Sequence, residues 1–381
     1  MAPPVRILHC HSTFSLGGKE ARAVRLMNAF GERCEHVILS AMPDRLGARE
    51  AIDRAVRVSL PRDAPPLTGS PTPGRLWRLA RYMRGFDLVL TYNWGAFDAV
   101  MARRLFAGAL GLPPLVHHED GFNEDETQRL NPRRNLYRRL GLAAACRLVV
   151  PSQRLERIAR EAWGQSAVRI ANGVPVARFA GPPQAGAIPG FERQPGEVVI
   201  GTVAGLRAVK NLPRLVRAFG RMTHKAARLV IAGEGPESER IAAEARARGV
   251  AARVLMPGFL PDPARVIGHF DIFALSSDSE QFPISLIEAM AAGLPAVATA
   301  VGDVPEIVSE DNRPLIVDPA DEAAFAAALD SLSDRPDLRR AIGQANRERA
   351  AALFDEKGMI AHYGRLYGEA IGRPDAFIAP G

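Results

Sequence analysis

The chain has 381 residues, of which 47% are hydrophobic and 24% are charged, and it contains three cysteines. This length suggests two domains with cores of their own, and three scattered cysteines without a Cys-x-x-Cys pair argue against a disulfide framework and a zinc site. The formal net charge is +7, and residues 1–190 carry 27 Arg and Lys against 16 Asp and Glu, which predicts an anionic partner for the first half.

Short apolar runs alternate with helical patterns in the first half of the chain. Their near-continuous apolar character is typical of strands that are covered on both faces. The predicted strands are 5–11, 35–41, 87–93, 114–119 and 146–152. Between the first two strands, Ala23, Met27 and Phe30 lie on one helical face. This alternation predicts a doubly wound, parallel α/β sheet in a first domain, 1–180.

A segment rich in Pro and Gly, residues 178–197, then interrupts the alternation. We predict an interdomain linker at 181–196 and a second domain of the same class at 197–354. The strands predicted there are 197–204, 227–235, 253–259, 271–277, 295–301 and 314–319. The chain is thus expected to form two Rossmann-like domains that face each other across a cleft.

A last helical pattern lies in the C-terminal segment, residues 355–381. Ile360, Tyr363, Tyr367 and Ala370 recur there at helical spacing. From this pattern alone, the helix either caps the second domain or packs back on the first.

In open parallel sheets, ligands bind beyond the carboxyl ends of the strands. The loop after the first strand, residues 12–20, contains Gly17 and Gly18 at the start of a helix. Glycines there let a ligand approach the backbone closely, and a helix start favours an anion. The loop lacks a Gly-x-Gly-x-x-Gly pattern, which argues against a dinucleotide site; a tight turn alone would also explain the two glycines.

Two cations lie in a corresponding loop of the second half. Arg207 and Lys210 follow the strand 197–204 at a strand-to-helix junction. Such a pair suits a diphosphate, with the arginine as a fork and the lysine as a point charge. Two solvated surface charges would give the same pattern.

Two glutamates bracket a helix start in the stretch 276–298. Glu280 lies before the helix, Pro283 suits its first turn, and Glu288 lies about one turn inside. The amides of Ile284 and Ser285 are then free donors at the positive end of the helix. The arrangement suits a sugar–diphosphate–ribose ligand, although Glu288 at the edge of a core could instead pair with an arginine.

These residues resemble a known family. The segment Glu280-QFPISLI-Glu288 resembles the E-x7-E element of retaining glycosyltransferases of family 4, which have the GT-B fold. The continuation AMAAGLPAVATAVGDVPEIV is similar to the same family, including its Gly-x-x-x-Glu loop from Gly302 to Glu306. GLRAVKN resembles the family's basic donor-phosphate loop, IAGEGP its Gly-x-Gly-Pro turn, and IANGV the end of its first domain.

The resemblance implies roles for residues of the second half. Glu280 would bind hydroxyl groups of the donor sugar and Glu288 those of the ribose. Arg207 and Lys210 would balance the charge of the departing diphosphate. The remaining residues implied in donor binding there are Phe282, Ile284 and Ser285.

In the first half, the resemblance places Gly17 and Gly18 against the donor phosphates and the acceptor. It also places a histidine after a strand near the donor sugar, and His118 is preferred to the adjacent His117 because it lies closer to the loop. Glu119 or Asp120 could act as a base for the acceptor hydroxyl, although acids in such a loop are often simply solvated.

The resemblance therefore implies transfer of a sugar from a nucleotide-sugar donor, such as a UDP- or GDP-sugar, to a glycan or lipid-linked acceptor, with retention of configuration. No cofactor or metal is expected, since two cations and a helix start can balance the diphosphate and no Asp-x-Asp metal motif is found. Cell-surface polysaccharide or glycolipid synthesis would fit. The alternatives are a sugar phosphorylase, a nucleotide-sugar epimerase and a non-catalytic subunit that binds nucleotide sugars.

The basic first half contains two amphipathic, arginine-rich helical patterns. In residues 74–86, Leu76, Leu79 and Met83 share one face and the arginines lie largely opposite; residues 132–142 contain four more arginines. Such helices can dock on an anionic membrane surface, or they can simply expose a charged outer face. Without a leader-like start or an 18-residue apolar run, we expect a cytoplasmic protein, peripheral at the inner membrane face at most, with no nucleic-acid partner.

Overall fold

A computed structural model of the chain describes residues 3–15, 17–122, 126, 130–143 and 146–378. It divides into two compact units. The first unit comprises Met1–Asn172 and Lys357–Gly381, and the second comprises Gly173–Glu356. The segment predicted as a linker, 181–196, therefore belongs to the second unit.

This Pro- and Gly-rich segment is fastened to the second unit by particular side chains. Ile188 is buried, and Phe191 lies under the guanidinium group of Arg228. Arg193 forms an ion pair of 3.0 Å with Asp271. Neither a helix nor a strand forms over 181–196, but the apolar and charged anchors make the segment part of a folded unit and not a spacer.

The strands form two sheets, each parallel throughout its pairings. Within the described residues the strands are β1 Val5–His11, β2 Cys34–Ser40, β3 Arg57–Ser59, β4 Leu88–Tyr92, β5 Leu115–His118, β6 Cys146–Val150, β7 Val168–Arg169, β8 Val198–Val203, β9 Ala227–Ala232, β10 Val254–Gly258, β11 Ile272–Leu275, β12 Ala296–Thr299 and β13 Ile316–Val317. Their order is β3-β2-β1-β4-β5-β6-β7 in the first unit and β10-β9-β8-β11-β12-β13 in the second.

Helices connect these strands. Over the same residues they are α1 Gly18–Phe30, α2 Pro73–Met83, α3 Phe97–Leu110, α4 Pro132–Leu142, α5 Gln153–Trp163, α6 Val176–Phe179, α7 Leu212–Arg221, α8 Ser238–Ala247, α9 Pro263–Val266, α10 Ile284–Ala291, α11 Val304–Ile307, α12 Glu322–Asp334, α13 Pro336–Leu353 and α14 Glu356–Ala370. In the part of the chain that the structure describes, we find no helix long and apolar enough to cross a bilayer.

Both faces of the first sheet are covered. Helices α2, α3, α4 and α5 contribute to the core on one face, and α1 and α14 to the core on the other. Tyr363 and Tyr367 of α14 are fully buried in that second core with Phe30. The C-terminal helix, whose partner the sequence left open, therefore packs on the first unit.

The predicted α/β fold class is confirmed. All predicted strands are present, with their ends shifted by a few residues, and β3 and β7 were missed. Both missed strands lie at sheet edges, are two or three residues long, and are largely exposed. A short exposed strand lacks the apolar run by which the others were recognised.

Candidate functional site

The order of the second sheet has a switch point between β8 and β11. From β8 the chain continues to β9 on one side, and from β11 it continues to β12 on the other. The loops after β8 and β11 consequently open next to each other at the carboxyl edge, which is where ligands bind in such sheets. These loops hold Lys210 and Glu280 respectively.

The two predicted residues are in direct contact. Nζ of Lys210 lies 2.5 Å from Oε1 of Glu280, and the hydroxyl of Ser277 donates to the same oxygen at 2.7 Å. The side chains of Lys210 and Glu280 are 16% and 9% exposed. Within the described part of the chain, Oε2 of Glu280 has no hydrogen bond of its own, so this oxygen is free to accept one from a ligand.

Further contacts hold the two loops together. The amide of Asp278 donates to the carbonyl of Val209 at 2.8 Å, and Asn211 donates to both carboxylate oxygens of Asp278 at 3.1 Å. Arg214 forms an ion pair of 2.6 Å with Asp278, and Ser276 donates to the carbonyl of Lys210 at 3.1 Å. The Lys210–Glu280 pair is therefore held in place before any ligand binds.

The helix start that follows is uncapped. Pro283 is the N-cap of α10, one residue before the first turn where it was predicted, and no side chain caps the helix. Its first turn, which begins with Ile284 and Ser285, contains no acid. Glu288 lies on this helix and is 9% exposed, while Phe282 packs edge-on against Phe354 at 5.7 Å. A positive helix end thus follows directly in sequence from Glu280.

Gly302 lies against the backbone of Glu280. Its φ is +57°, and a Cβ at this position would lie only 1.9 Å from the Glu280 carbonyl oxygen. Both the dihedral angle and the contact require glycine. The start of the Gly-x-x-x-Glu loop thus supports the backbone of the carboxylate that resembles the sugar-binding glutamate.

Arg207 differs from Lys210 in its surroundings. It precedes the short 3-10 turn Ala208–Lys210 and is exposed. No ion pair of Arg207 with another described residue is observed, so its guanidinium group is available to an anion. Of the two cations predicted to bind the diphosphate, only Lys210 is held in position before a ligand binds.

The glycine loop of the first unit carries an acid of its own. Gly17 is the N-cap of α1, and a Cβ there would lie 2.9 Å from Oε2 of Glu20. Lys19 pairs with Glu20 at 2.8 Å, and burial raises the pKa of Glu20 against the opposing effect of that lysine. The start of α1 at Gly18, which we expected to attract an anion, thus already lies next to the carboxylate of Glu20. Leu16 of this loop lies outside the described residues.

Both candidate histidines are buried in the first unit. His118 Nδ1 lies 3.2 Å from the carbonyl of Thr91, and Nε2 lies 2.8 Å from the Tyr367 hydroxyl. Because a carbonyl only accepts, Nδ1 carries the proton and Nε2 accepts from Tyr367. Burial is the main cause that lowers the pKa of His118 to about 3, so the ring is neutral. His117 lies 2.8 Å from the hydroxyl of Thr91 through Nδ1.

The acids of the following loop are held by arginines and are not simply solvated. Arg22 grips both oxygens of Asp120, at 2.5 and 2.7 Å. Burial opposes the ionisation of Asp120, but Arg22 outweighs it and lowers the pKa of this carboxyl group. Glu119 is fully buried, 3.3 Å from Nε of Arg138. Residues 123–125 of the acidic run lie outside the described residues.

Within the described ranges, no group of three or more His, Cys, Asp or Glu side chains is placed to hold a metal ion. Cys10 and Cys34 are free and buried. Burial raises the pKa of both thiols to about 12, which disfavours the thiolate form that binds metals.

Two family models match the chain and together span most of it. The model for glycosyl transferases group 1 matches residues 188–349, and the model for glycosyltransferase family 4 matches residues 16–178. The chain belongs to glycosyltransferase family 4. Its GT-B fold is that of solved glycosyltransferases, and the resemblance found in the sequence is confirmed.

Curated relatives match over part of their length. N-acetyl-alpha-D-glucosaminyl L-malate synthase of Bacillus anthracis is 28% identical over 172 residues, which are 45% of this chain and 45% of the relative. D-inositol 3-phosphate glycosyltransferase of Corynebacterium kroppenstedtii is 31% identical over 185 residues, 45% of this chain and 41% of the relative. The match spans less than half the length of these relatives.

Solved structures match this chain over almost its whole length. Anabaena HepE in complex with UDP aligns with a TM-score of 0.78 at 16% identity, covering 96% of this chain and 100% of that chain. Sucrose-phosphate synthase from Thermosynechococcus elongatus aligns with a TM-score of 0.76 at 20% identity, covering 96% and 99%. These likenesses establish the fold of this glycosyltransferase.

Reasoning from the sequence missed the residues that hold the site together. Ser277, Asn211, Arg214 and Asp278 fix the two loops, yet none was singled out. One signal was available, since Ser277 and Asp278 lie three and two residues before Glu280, just after the strand β11. The partners across the loops become visible only when the strand order places β8 beside β11.

Proposed function

We propose that this glycosyltransferase transfers a sugar from a UDP- or GDP-sugar to a hydroxyl group of a glycan or lipid-linked acceptor, with retention of the anomeric configuration. The observation that carries the proposal is the prearranged Lys210–Glu280 pair, 2.5 Å apart at the switch point of the second sheet. A cation and a carboxylate in one site match the two parts of a nucleotide sugar, an anionic diphosphate and a ring of hydroxyl groups.

Each residue of the site has a proposed role. Glu280 accepts hydrogen bonds from sugar hydroxyls through Oε2, since Oε1 is engaged by Lys210 and Ser277. Glu288 binds the ribose hydroxyls. Lys210 and the exposed Arg207 face the diphosphate.

Positioned positive charge is the proposed source of catalysis. As the bond between the anomeric carbon and the diphosphate oxygen breaks, its electron pair passes to that oxygen. Lys210, Arg207 and the backbone amides of Ile284 and Ser285 would stabilise the departing diphosphate, in the way that fixed donors stabilise developing charge elsewhere. We expect this to proceed without an added metal ion or cofactor.

The acceptor is proposed to attack from the face that the diphosphate leaves. The new bond forms between the acceptor oxygen and the anomeric carbon, and the acceptor proton passes to the departing phosphate oxygen, so configuration is retained. This route needs no protein base, which agrees with Asp120 and Glu119 being held by arginines. His118, neutral at physiological pH, is proposed to hydrogen-bond the donor sugar, which requires Nε2 to leave the Tyr367 hydroxyl.

The acceptor is proposed to be a growing polysaccharide or glycolipid at the inner face of a membrane. The names of two relatives point to other compounds than this proposed acceptor: one contains L-malate and the other D-inositol 3-phosphate. A membrane site is supported by exposed apolar residues among the arginines of the outer helices of the first unit. These residues are Trp77 of α2, Leu105 of α3, and Leu136 and Leu140 of α4.

The test is to incubate the protein with a panel of UDP-, GDP- and ADP-sugars, with and without EDTA, and to follow release of nucleotide and the sugar anomer by NMR. We expect one donor to be hydrolysed slowly in the absence of acceptor, with retained configuration and equal rates in EDTA. Release of sugar 1-phosphate only when inorganic phosphate is added would instead indicate a phosphorylase. A changed sugar still attached to its nucleotide would indicate an epimerase, and binding without turnover would indicate a non-catalytic subunit.

A further inference from the structure

In the described part of the chain, two residues other than glycine have a positive φ, and both are asparagines, Asn93 and Asn211. Asn211 directly follows Lys210 of the donor site and has φ +41° and ψ +49°, in the left-handed region. Residues with a Cβ avoid this region, although asparagine tolerates it better than most. Such a conformation persists only where the surrounding structure holds it, and it occurs often at functional sites. The conformation of Asn211 therefore requires particular contacts to maintain it.

Both ends of the Asn211 side chain are bonded. Nδ2 donates to the two carboxylate oxygens of Asp278 at 3.1 Å each. Oδ1 accepts from the amide of Arg214 at 3.4 Å, so Asn211 is the N-cap of α7. Arg214 in turn forms an ion pair of 2.6 Å with Asp278. Asp278 thus holds the side chain of Asn211 directly, and it holds the first turn of α7 through Arg214.

The left-handed residue separates a 3-10 turn from a helix. The turn Ala208–Lys210 ends at Asn211, whose amide donates to the carbonyl of Ala208 at 3.0 Å, and α7 begins at the next residue. A right-handed conformation at Asn211 would join the turn and the helix into one spiral, in which successive side chains point about 100° apart. The left-handed conformation makes the direction of the Lys210 side chain independent of α7. In this direction, Nζ of Lys210 reaches Oε1 of Glu280.

The loop after β11 also holds the backbone around Lys210. The amide of Asp278 donates to the carbonyl of Val209 at 2.8 Å. The hydroxyl of Ser276 lies 3.1 Å from the carbonyl oxygens of both Lys210 and Asn211. These backbone contacts set the position of the loop, whereas the link between Asn211 and Asp278 sets the conformation of one residue in it.

The link to Asp278 is separable from the stability of the fold. The side chain of Asp278 is 47% exposed, and ion pairs of exposed groups contribute little to stability. The Lys210–Glu280 pair, by contrast, is largely buried. A substitution of Asp278 can therefore change the direction of Lys210 without unfolding the second unit.

We propose that Asn211 and Asp278 are positioning residues of the transfer reaction. Asp278 holds Asn211 in the left-handed conformation, and this conformation directs Lys210 towards Glu280 and the departing diphosphate. Neither positioning residue contacts the donor itself. The inference rests on the role proposed for Lys210, which is to stabilise the charge that develops as the diphosphate leaves. Loss of this direction therefore lowers turnover more than it weakens donor binding.

The first test measures kcat and KM with the donor that the panel of nucleotide sugars identifies. We expect Asn211→Ala to lower kcat about tenfold, because misplacing a group of the site by about 1 Å can cost about 100-fold. The KM for the donor should change less than about twofold. Asn211→Gly should recover most of the loss, since glycine readily adopts a positive φ.

Substitutions of the partner carboxylate complete this series. Asp278→Ala should lower kcat severalfold, and Asp278→Asn should lower it less, because an amide oxygen still accepts from Nδ2 of Asn211. The control is Asp337→Ala, at an aspartate of the same unit that is 89% exposed. It should change neither kcat nor KM.

A double variant separates the direction of Lys210 from stability. In a Lys210→Met background, Asn211→Ala should change kcat less than about twofold, because the effects of residues that act through one group are not additive. An equal loss of turnover in both backgrounds would assign the effect to the fold and not to Lys210.

The second test needs no donor. The chain contains four lysines, so acetylation by an N-hydroxysuccinimide ester can be followed at each of them by mass spectrometry. Lys210 is 16% exposed and paired with Glu280. We expect Lys210 to be acetylated severalfold faster in Asn211→Ala and at close to the wild-type rate in Asn211→Gly. The exposed Lys225 should react equally in all variants.

The two tests together distinguish this inference from the proposed function. Unchanged kcat and unchanged acetylation of Lys210 in Asn211→Ala would reject the inference while the proposed function stands. An Asn211→Gly variant as impaired as Asn211→Ala would exclude the left-handed conformation as the cause. Faster acetylation of Lys210 in Asn211→Ala, in a protein that turns over no nucleotide sugar, would support the control of Lys210 by Asn211 and reject the proposed function.

Discussion

At the scale of single residues, the Lys210–Glu280 ion pair affects both the stability of the fold and the proposed chemistry. Both side chains are largely withdrawn from solvent. Removing one partner of a buried ion pair leaves the other charge uncompensated, at a cost of about 3–5 kcal/mol. A loss of activity in a single variant could therefore come from lost stability, and the two effects have to be separated.

We predict that Lys210→Met lowers both turnover, by about 100-fold or more, and the free energy of unfolding. The double variant Lys210→Met/Glu280→Gln removes both charges, so it should regain most of the stability but not the turnover. Nucleotide release and urea unfolding measure the two quantities. Lys225→Met, an exposed lysine of the same unit, is the matched control.

A double variant that turned over at close to the normal rate would contradict this role of the pair. Glu288→Ala should also lower turnover strongly, through lost contacts with the ribose. Near-normal rates in both Lys210→Met and Glu288→Ala would remove the assignment of the donor site to this loop and helix.

Glu280 and Glu288 could be singled out from the sequence because one linear motif contains both. Glu280 and Glu288 lie within one nine-residue segment, so their spacing is visible without a fold. Arg75 is the opposite case. It lies in an arginine-rich amphipathic helix that indicated a solvated face, and its burial depends on the carbonyl groups of loop 66–70 folding around it.

At the scale of elements, α2, α3 and α4 form a layer with an unusual outer surface. Trp77, Leu105, Leu136 and Leu140 are between 38% and 59% exposed. Trp77 meets Phe106 of α3 edge to face at 5.1 Å, so the apolar residues of α2 and α3 adjoin. The sequence predicted arginine-rich faces on α2 and α4, but only the packing shows which apolar side chains remain exposed to solvent.

We predict that the protein binds vesicles containing phosphatidylglycerol but not vesicles of phosphatidylcholine alone, because arginines attract anionic headgroups and exposed apolar residues insert. Co-sedimentation should show binding at 50 mM NaCl that weakens at 500 mM, as screening shortens the range of the attraction.

The paired substitution Leu136→Ser and Leu140→Ser should reduce vesicle binding severalfold. The control is Leu353→Ser, at a position of the second unit that is exposed to a similar degree, 55%. Absence of binding at 50 mM NaCl, or equal binding by the wild type and the Leu136/Leu140 variant, would reject the proposed membrane face.

The strands with the most apolar sequences were predicted, and those with few apolar residues were missed. The central strands are buried on both sides and were found from composition alone, whereas β3 and β7 were not. The partner of α14 stayed open because one helical face with Tyr363 and Tyr367 fits any apolar surface. Its place is decided by specific contacts, such as the hydrogen bond of 2.8 Å between Tyr367 and His118, which joins positions distant in sequence.

At the scale of the whole molecule, the first unit buries an unusual group of histidines. His9, His36 and His118 are almost fully buried, and so is His11, whose two ring nitrogens lack partners within the described structure. His9 Nε2 lies 2.9 Å from Nδ1 of His36, and His11 stacks on Tyr92 at 4.0 Å. The sequence indicated strands here but gave no sign that their histidines face inward.

All four histidines are held in the neutral form. Burial is the first cause in each case; it lowers the pKa of His36 to about 4 and of His118 to about 3, and lowers those of His9 and His11 well below the usual 6.5. The neighbouring histidines add to the effect at His9. The folded first unit therefore resists protonation over a pH range in which the unfolded chain accepts protons.

This difference predicts that the first unit loses stability as the pH falls from about 6.5 towards 4. In that window the unfolded state binds protons that the folded state does not bind. The free energy of unfolding therefore falls by about 1.4 kcal/mol per pH unit for each histidine. The carboxyl group of Asp120, whose pKa is lowered by Arg22, adds to the loss only below about pH 4, where the unfolded chain begins to protonate it.

Urea unfolding at pH 7, 6 and 5, followed by tryptophan fluorescence, tests this prediction in the first unit alone, because Trp77, Trp94 and Trp163 all lie there. His11→Phe should reduce the pH dependence by about one histidine's share, since a phenyl ring preserves the stacking on Tyr92 and cannot be protonated. Equal free energies of unfolding at pH 7 and pH 5 in the wild type would show that the histidines do not resist protonation. An unchanged pH dependence in His11→Phe would assign the effect to the other three.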